Sequence, residues 1–379
     1  MAAGTVIDLF SGAGGLSEGF RQAGYEILAA NDFDKFAAET YKVTHPEAKF
    51  IDGSVQEIKA SDFLNVAGLS KGELDCLIGG PPCQAFSVYN HQRGMHDERS
   101  GLFREYLRLV EGIFPKWVVM ENVTGITSVE NGQAVREIQN GLRKLGYSNL
   151  EYRTLKAEEY GVPQERRRIV FIANRINKGI VWKTPSHDGK KTPFVTISEA
   201  IGDLPILNNG EGEDVQPYRI PLKESSSFQK LMRKGSAEVF NHIAPVLADI
   251  NLKRMKHIPI GGSWRDIPTK LLPAGMKMAK RSDHTKRYGR LHPEGLSSTI
   301  LTKCDIHWGS YIHPYQDRTI TVREAARLQS FPDTFKFCGP RTEQYRQVGN
   351  AVPPLLGKAI AESLTLAAEK KERQLSLAV

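Results

Sequence analysis

The chain has 379 residues, of which 40% are hydrophobic and 25% are charged, and its formal net charge is +8. This length favours two domains over one small module, because single hydrophobic cores rarely grow to this size. No apolar run approaches the roughly 20 residues that a transmembrane helix needs, and the N-terminus has no signal-peptide pattern. We therefore expect a soluble, cytoplasmic protein with no membrane partner.

In the first 180 residues, strand-like and helix-like stretches alternate. The apolar runs TVIDLF, EILAAND, LDCLIGG, WVVMENV and RRIVFIANR predict strands, and the segments between them carry apolar residues at helical spacing. This alternation predicts βαβ units and a mostly parallel sheet, hence an α/β fold. We expect this sheet domain to span residues 1–185.

A second, smaller domain with irregular structure is predicted for residues 186–337. Prolines and glycines recur there, and helical periodicity is lost. The closing stretch GNAVPPLLGKAIAESLTLAAEKK has an apolar helical face, so residues 338–379 are expected to complete the first domain.

The excess positive charge is concentrated in one segment. Residues 241–290 contain eleven lysines and arginines and three aspartates. The difference, +8, equals the net charge of the whole chain. Such a segment is typical of a surface that neutralises nucleic-acid phosphates. The alternative is a well-solvated face without a partner.

A glycine turn joins the first strand to the first helix in TVIDLFSGAGGLSEGF. Gly12 and Gly14 allow the backbone to approach a ligand, and the helix that begins near Gly15 offers unpaired N–H groups. The nicotinamide pattern GxGxxG fails, because Ser17 occupies its last position. Asp32 ends the second strand, where doubly wound folds place a carboxylate that binds ribose hydroxyls. A nucleoside-bearing cofactor is expected, although a tight turn alone would also require glycine.

The four cysteines form no CxxC pair, so neither a disulfide framework nor a metal site is indicated. Cys76 lies within the strand DCLIGG and is expected to be buried. Cys83 follows the same strand, where open parallel sheets bind ligands, and Pro81 and Pro82 restrict its loop. A thiol at this place can act as a nucleophile if its pKa is lowered.

Other polar residues are predicted near the same sheet edge. Glu121 ends the strand WVVM, and Gln164, Arg166 and Arg168 alternate in QERRRIVF, so that a strand would direct these three side chains to one side.

Six blocks, read in order, resemble the bacterial DNA cytosine-5 methyltransferase family: DLFSGAGG, GGPPCQAFS, MENV, QERRRIVFI, LTKCDIHWGSYIHP with RTITVREAARLQSFPD, and QVGNAVPP. The resemblance covers nearly the whole chain except about residues 190–280. It implies a Rossmann-like catalytic domain that uses S-adenosylmethionine, and a target-recognition domain at 186–337. The implied reaction is methyl transfer to carbon 5 of a cytosine that is rotated out of a specific duplex DNA sequence.

The resemblance also assigns roles to individual residues. Cys83 would add to carbon 6 of cytosine, Glu121 would bind the exocyclic amine and ring nitrogen 3, Arg168 would contact the carbonyl, and Arg166 would support the nucleophile loop. The cofactor-contacting positions are Phe10, Gly12, Gly14, Asp32, Phe33, Pro81, Leu102, Asn350 and Ala351.

DNA contacts are expected from Ser87, in a mobile loop after Cys83, and from Trp264 and Arg265 in the basic segment. We expect duplex DNA as the partner, a monomeric enzyme of restriction-modification type, and a cognate endonuclease that forms no stable complex with it.

Three alternatives compete with this interpretation. A zinc nucleobase deaminase is disfavoured, because Phe86 stands where its second cysteine would be and His96 follows the cysteine block instead of preceding it. A catalytically inactive DNA-binding relative would not need Cys83, Glu121 and Arg168 together. A related enzyme that methylates tRNA would share the same chemistry.

Overall fold

The computed structural model describes residues 2–82, 101–128, 132–280 and 282–376, with the side chains of the last helix described to Ala367. The chain divides into two compact units. The first comprises Met1–Tyr160, Arg167–Ser186 and Ala351–Val379, and the second comprises Gly161–Arg166 and His187–Asn350. The functional roles expected of the two domains stay predictions.

The first unit is built on a mixed seven-stranded sheet. Its strands are β1 (Thr5–Leu9), β2 (Glu26–Asp32), β3 (Lys49–Asp52), β4 (Cys76–Gly79), β5 (Trp117–Val123), β6 (Asn149–Lys156) and β7 (Arg167–Asn174). Their order is β3-β2-β1-β4-β5-β7-β6. The first five strands pair in parallel, whereas β7 runs antiparallel to both β5 and β6.

All five strands that were predicted from apolar runs are confirmed. The two missed strands, β3 and β6, are the edges of the sheet, and most of their residues are exposed or half-buried. An edge strand that buries little surface needs no continuous apolar run, so its sequence carries a weak signal.

Helices cover this sheet: α1 (Gly15–Gln22), α2 (Lys35–Thr44), α3 (Ala60–Ala67), α4 (Leu102–Ile113) and α5 (Gln133–Lys144). The C-terminal helix α12 (Pro354–Ser376) packs on α1, and Gly19 lies so close to Gly357 that a Cβ on it would be 2.5 Å from the backbone of that residue. Of residues 338–379, which are expected to complete the first domain, 351–379 belong to the first unit and 338–350 to the second. Cys76 is fully buried within β4, as predicted.

The second unit contains short elements. They are α6 (Ile197–Ile201), β8 (Val215–Pro217), α7 (Ser227–Met232), β9 (Glu238–Phe240), α8 (Asp249–Met255), α9 (Ala274–Lys277), α10 (Val322–Leu328) and α11 (Arg341–Asn350). The two strands form an antiparallel pair. Part of the basic segment folds around a small core that includes Met255, Trp264, Tyr288 and Ile306.

Charged side chains are buried deep within the second unit, around α10. Glu324 accepts hydrogen bonds from Arg318 at 2.7 and 2.8 Å and from the backbone N–H of Thr321 at the start of that helix. Arg327 donates to both carboxylate oxygens of Asp333 at 2.6 Å. The block RTITVREAARLQSFPD thus builds the interior of this unit, because its buried charges satisfy one another.

Among the described residues, no helix is long and apolar enough to span a membrane.

Candidate active site

The sheet of the first unit has a topological switch point at the carboxyl end of β1. Leu9 pairs with Asn31 of β2 on one side and with Gly79 of β4 on the other. After β1 the chain continues to β2 on one side, and after β4 it continues to β5 on the other side. Between two such strands an α/β sheet has a crevice in which ligands bind. The glycine loop, residues 10–14, begins at this point.

The two glycines of this loop are required for different reasons. Both have a positive φ, 55° at Gly12 and 97° at Gly14. A Cβ at Gly14 would lie 2.7 Å from the His45 ring, whereas a Cβ at Gly12 would meet no atom within 4 Å. Gly14 therefore serves close packing beneath the loop, and Gly12 faces open space that a ligand can fill.

Asp32 holds the glycine loop from the end of β2. Its Oδ2 accepts a hydrogen bond from the Gly12 N–H at 2.8 Å, and its Oδ1 accepts one from the Asp34 N–H at 2.9 Å. Burial raises the pKa of this carboxyl, while the two backbone N–H groups oppose that rise. The predicted ribose-binding carboxylate therefore also holds the backbone of the glycine loop. Phe33, the next residue, leaves 72% of its surface exposed.

A buried polar chain lies under the loop and was not anticipated. The Ser17 hydroxyl donates to Asp8 at 2.6 Å and lies 2.7 Å from the Tyr41 hydroxyl. Tyr41 in turn stacks on His45, with ring centroids 4.6 Å apart. Burial raises the pKa of Asp8 to about 7 and lowers that of His45 to about 3. The signal available in the sequence was an acid at the centre of the apolar strand VIDLF.

Glu121 and Arg168 form an ion pair at the same edge of the sheet. The Nε of Arg168 lies 2.7 Å from Oε1 of Glu121, and the two side chains are only 13% and 11% exposed. The antiparallel register of β5 and β7 brings them together, since Arg168 pairs with Val123, two residues beyond Glu121. Burial lowers the pKa of Arg168, and the carboxylate opposes this shift. The geometry presents a carboxylate and a guanidinium side by side, as recognition of a polar ring would require.

The segment GGPP is shaped by its two neighbouring strands. A Cβ at Gly79 would come within 2.7 Å of the Leu9 carbonyl, and one at Gly80 would come within 3.0 Å of Oε2 of Glu121. The Asn122 amide donates to the Pro81 carbonyl at 3.1 Å. Glu121 and Asn122 therefore both border the backbone that leads into Cys83.

The expected common strand for Gln164, Arg166 and Arg168 is not observed, because β7 begins only at Arg167. Gln164 and Arg166 belong to the second unit. There Gln164 donates to the Leu328 carbonyl, and Arg166 donates to the carbonyls of Ile300 and Gly349. The apolar run IVFIA predicts a strand but does not show at which residue the strand begins. The residues before Arg167 bond to carbonyls of the second unit, so they do not continue the strand.

Other predicted positions are distributed as follows. Phe10 adopts a left-handed φ of 56° at the start of the loop, and Leu102 is the first residue of α4. Asn350 ends α11 in the second unit, while Ala351 begins the last segment of the first. Cys83 and Ser87 lie outside the described residues, so the nucleophile and the DNA contact assigned to them stay predictions.

Trp264 does not lie on the surface. It is 3% exposed, packs in the small core of the second unit and donates its indole N–H to the His284 carbonyl. Arg265 beside it is half-buried. This position does not support the expectation that Trp264 is available to a DNA groove, and the bulky aromatic is instead explained by its packing.

The residues of the first unit fit an adenosine-type cofactor. The space beside Gly12 is open, the α1 N-terminus follows the loop, and the exposed Phe33 comes directly after Asp32 in the chain. An exposed aromatic residue and a carboxylate at the end of one strand match the apolar base and the polar sugar of a nucleoside.

Comparisons with known proteins agree with this geometry. The family described as C-5 cytosine-specific DNA methylase matches residues 4–366. The chain is 34% identical to the type II methyltransferase M.AgeI of Thalassovita gelatinovora, over 95% of this chain and 99% of that protein. It is 35% identical to the type II methyltransferase M.DdeI of Desulfomicrobium norvegicum, over 95% of this chain and 88% of that protein.

Solved structures show the same likeness. A crystal structure described as a DNA modification methyltransferase encoded within a prophage of E. coli superposes with a TM-score of 0.77 at 26% identity, covering 96% of this chain and 99% of its own. The expected α/β methyltransferase fold is confirmed. With a family match over nearly its full length, the chain belongs to the C-5 cytosine-specific DNA methylases.

Proposed function

We propose that the protein transfers a methyl group from S-adenosylmethionine to carbon 5 of a cytosine in a specific duplex DNA sequence. The observation that carries the proposal is the Glu121–Arg168 pair, which borders the Gly80–Pro81 backbone that leads to Cys83. The type II methyltransferases to which the chain is similar make a restriction-modification role the natural setting.

Cys83 is the proposed nucleophile. Carbon 5 of cytosine is too weak a nucleophile to take a methyl group directly, so the Cys83 thiolate adds to carbon 6 and forms a carbon–sulfur bond. The electron pair of the 5,6 double bond then makes carbon 5 nucleophilic. Carbon 5 would take the methyl group of S-adenosylmethionine, with S-adenosylhomocysteine as the leaving group. Loss of the carbon 5 proton then restores the double bond and expels the thiolate.

Glu121 and Arg168 stabilise this addition. Glu121 binds the exocyclic amine and ring nitrogen 3, where a proton offsets the charge that develops as sulfur adds. Arg168 donates to the ring carbonyl. The contact of 2.7 Å between the two side chains keeps both groups at the same sheet edge before substrate binds.

The cofactor is S-adenosylmethionine, which supplies an electrophilic methyl group on a sulfonium. Asp32 binds the ribose, Phe33 and Phe10 contact the adenine, and Gly12 admits the remaining part of the molecule. The hydrogen bond from Gly12 to Asp32 supports this assignment, because it joins the two predicted binding elements.

The target base must leave the duplex, because a thiol on a loop cannot reach carbon 6 of a stacked and paired cytosine. We propose that the basic second unit binds the DNA backbone and reads the target sequence. Methylation of tRNA is the second candidate, since its chemistry would be identical.

Labelled S-adenosylmethionine, offered with duplex DNA or with tRNA, tests the proposal. Label should enter duplex DNA, and Cys83→Ser should abolish the transfer. Bisulfite sequencing of the product then gives the recognition sequence. Label in tRNA alone would overturn the DNA assignment, and full activity of Cys83→Ser would overturn the nucleophile.

A further inference from the structure

The second unit presents one tryptophan to solvent. Of the four tryptophans, Trp117 and Trp264 are buried and Trp182 is half-buried, whereas Trp308 is 63% exposed. The guanidinium of Arg287 lies over the Trp308 ring, 5.5 Å from its centroid. An indole stacked with a cation combines an apolar face and a positive charge at one place.

The turn that carries Trp308 is held rigidly. The Trp308 N–H donates to the Asp305 carbonyl at 3.0 Å, and the carbonyl of the buried Ile306 accepts from the Tyr288 N–H at 2.7 Å. The His307 ring joins this turn to Tyr288. Its Nδ1 lies 2.5 Å from Oδ1 of Asp305, and its Nε2 lies 2.9 Å from the Tyr288 hydroxyl. The turn therefore holds the Ile306 side chain inside the core and the Trp308 side chain in solvent.

The segment that carries Arg287 is fixed as well, because the backbone N–H of Trp264 donates to the Arg287 carbonyl at 3.1 Å. Trp264, which is expected from the sequence to contact DNA, thus fixes the backbone of Arg287. A side chain that is held in place before binding loses less conformational entropy when a ligand arrives.

The charge of the surroundings identifies the ligand. In residues 241–290, lysines and arginines outnumber acids, and Lys286 lies 3.8 Å from a carboxylate oxygen of Glu165. The exposed lysines of this segment are Lys253, Lys256, Lys270, Lys277, Lys280 and Lys286. Not all of the segment's charge is available, since Arg290 is buried and bonded to Asp317 at 2.6 Å. The exposed remainder still favours a polyanion.

We propose that Trp308 and Arg287 form a DNA contact, with Arg287 on a backbone phosphate and the Trp308 indole against the apolar face of a sugar or base. This inference rests on the proposed function and names a point at which the second unit grips its substrate. The pair makes an attractive contact with both components of a nucleotide, the anionic phosphate and the apolar ring.

Fluorescence anisotropy of labelled, sheared genomic duplex DNA tests the contact. Trp308→Ala should weaken DNA binding roughly five- to hundredfold, the range for loss of aromatic stacking. Arg287→Ala should weaken binding and lower the slope of log affinity against log salt by about one, as loss of one phosphate contact does. Trp308→Ala should leave that slope unchanged.

The first unit offers a matched control. Arg153 lies over Trp182 at 5.1 Å, nearly the same arrangement as Arg287 over Trp308. Arg153→Ala and Trp182→Ala should leave DNA affinity and its salt dependence unchanged. If they weaken binding as much as the Trp308 and Arg287 variants do, the specific contact is overturned.

Acrylamide quenching gives a readout that a purely structural role would not change. DNA should protect the exposed tryptophan of the wild-type protein from the quencher, and this protection should vanish in Trp308→Phe. Because Phe preserves an aromatic ring, this variant also remains informative if the alanine variant fails to fold.

The outcomes separate the two proposals. Methyl transfer to DNA by the wild-type protein together with unchanged DNA affinity of Trp308→Ala overturns the contact alone. Binding that depends on Trp308, but with no methyl transfer to DNA, overturns the proposed function alone.

Discussion

Two arginine–carboxylate pairs, one in each unit, use the same functional groups for different purposes. Arg327 and Asp333 of the second unit are fully buried, and both carboxylate oxygens accept from the guanidinium at 2.6 Å. Glu121 and Arg168 of the first unit retain some exposure at the edge of the sheet, and the Nε of Arg168 lies 2.7 Å from Oε1 of Glu121.

The difference between the pairs lies in their surroundings. Asp203 adds a second carboxylate beside Arg327, at 3.1 Å, so that the charges of this cluster are compensated inside the core. Glu121 instead lies two residues before the end of the central strand β5, and its Oε2 is beside Gly80, which has no Cβ. Under the proposed function, the Glu121–Arg168 pair binds the substrate, whereas the buried pair of Arg327 and Asp333 stabilises the core.

The strongest test of this comparison is Glu121→Gln. The change keeps the size of the side chain but removes its charge, so methyl transfer should fall by about 10²–10⁴, the usual range for a group that assists proton placement. Unfolding free energy should fall by only about 1–3 kcal/mol, the value of a charged hydrogen bond. Single-turnover label transfer and denaturant titration measure the two effects.

Glu137→Gln is the matched control for that substitution. Glu137 pairs with Arg104 at 2.7 Å on the surface of the same unit. Its change should leave both the rate and the stability near wild type. A comparable loss of rate in both variants would show that Glu121 has no particular role.

The opposite pattern is expected for Arg327→Met. Buried Asp203 and Asp333 would each lose the Arg327 guanidinium, while Arg233 and Arg323 stay beside them at 3.3 and 3.7 Å, so the free energy of unfolding should fall by about 3–5 kcal/mol. Activity per folded molecule should stay unchanged, which calorimetry combined with activity at low temperature can measure. Arg346→Met, on the exposed pair with Glu343, provides the control and should have little effect.

The glycine loop provides a smaller and more selective test. Gly14→Ala would press a methyl group onto His45 and force a left-handed φ on alanine, so it should lower stability by about 1–3 kcal/mol. Gly12→Ala also forces a positive φ on alanine, but its methyl group meets no atom within 4 Å, so it should lower stability less than Gly14→Ala. It should weaken binding of S-adenosylmethionine. Thermal unfolding and calorimetric titration compare the two variants; equal stability losses with unchanged cofactor affinity would contradict the assigned difference.

The sequence identified the central strands and the family because both depend on local signals. Apolar runs such as WVVM mark strands buried on both faces, and the blocks around Glu121 and Gly12 are contiguous in the chain. Edge strands β3 and β6 escaped detection because they bury few side chains.

Contacts between distant parts of the chain could not be predicted in the same way. The alternation in QERRRIVF predicts one strand for Arg166 and Arg168, yet Arg166 donates to carbonyls more than a hundred residues away in the chain. Trp264 and Trp308 each follow a polar residue, and only the three-dimensional packing shows that one is buried and the other exposed. Side-chain burial depends on tertiary contacts that local composition does not encode.

Covalent trapping on 5-fluorocytosine tests the proposed mechanism most directly. Duplex DNA with this base at the methylated position is incubated with the protein and S-adenosylmethionine, and the product is analysed by mass spectrometry. Fluorine on carbon 5 cannot leave as a proton does, so the thiolate cannot be expelled, and we predict a stable adduct of Cys83 that carries the transferred methyl group. Absence of an adduct from a protein that methylates the ordinary duplex, or an adduct that persists in Cys83→Ser, would contradict the account.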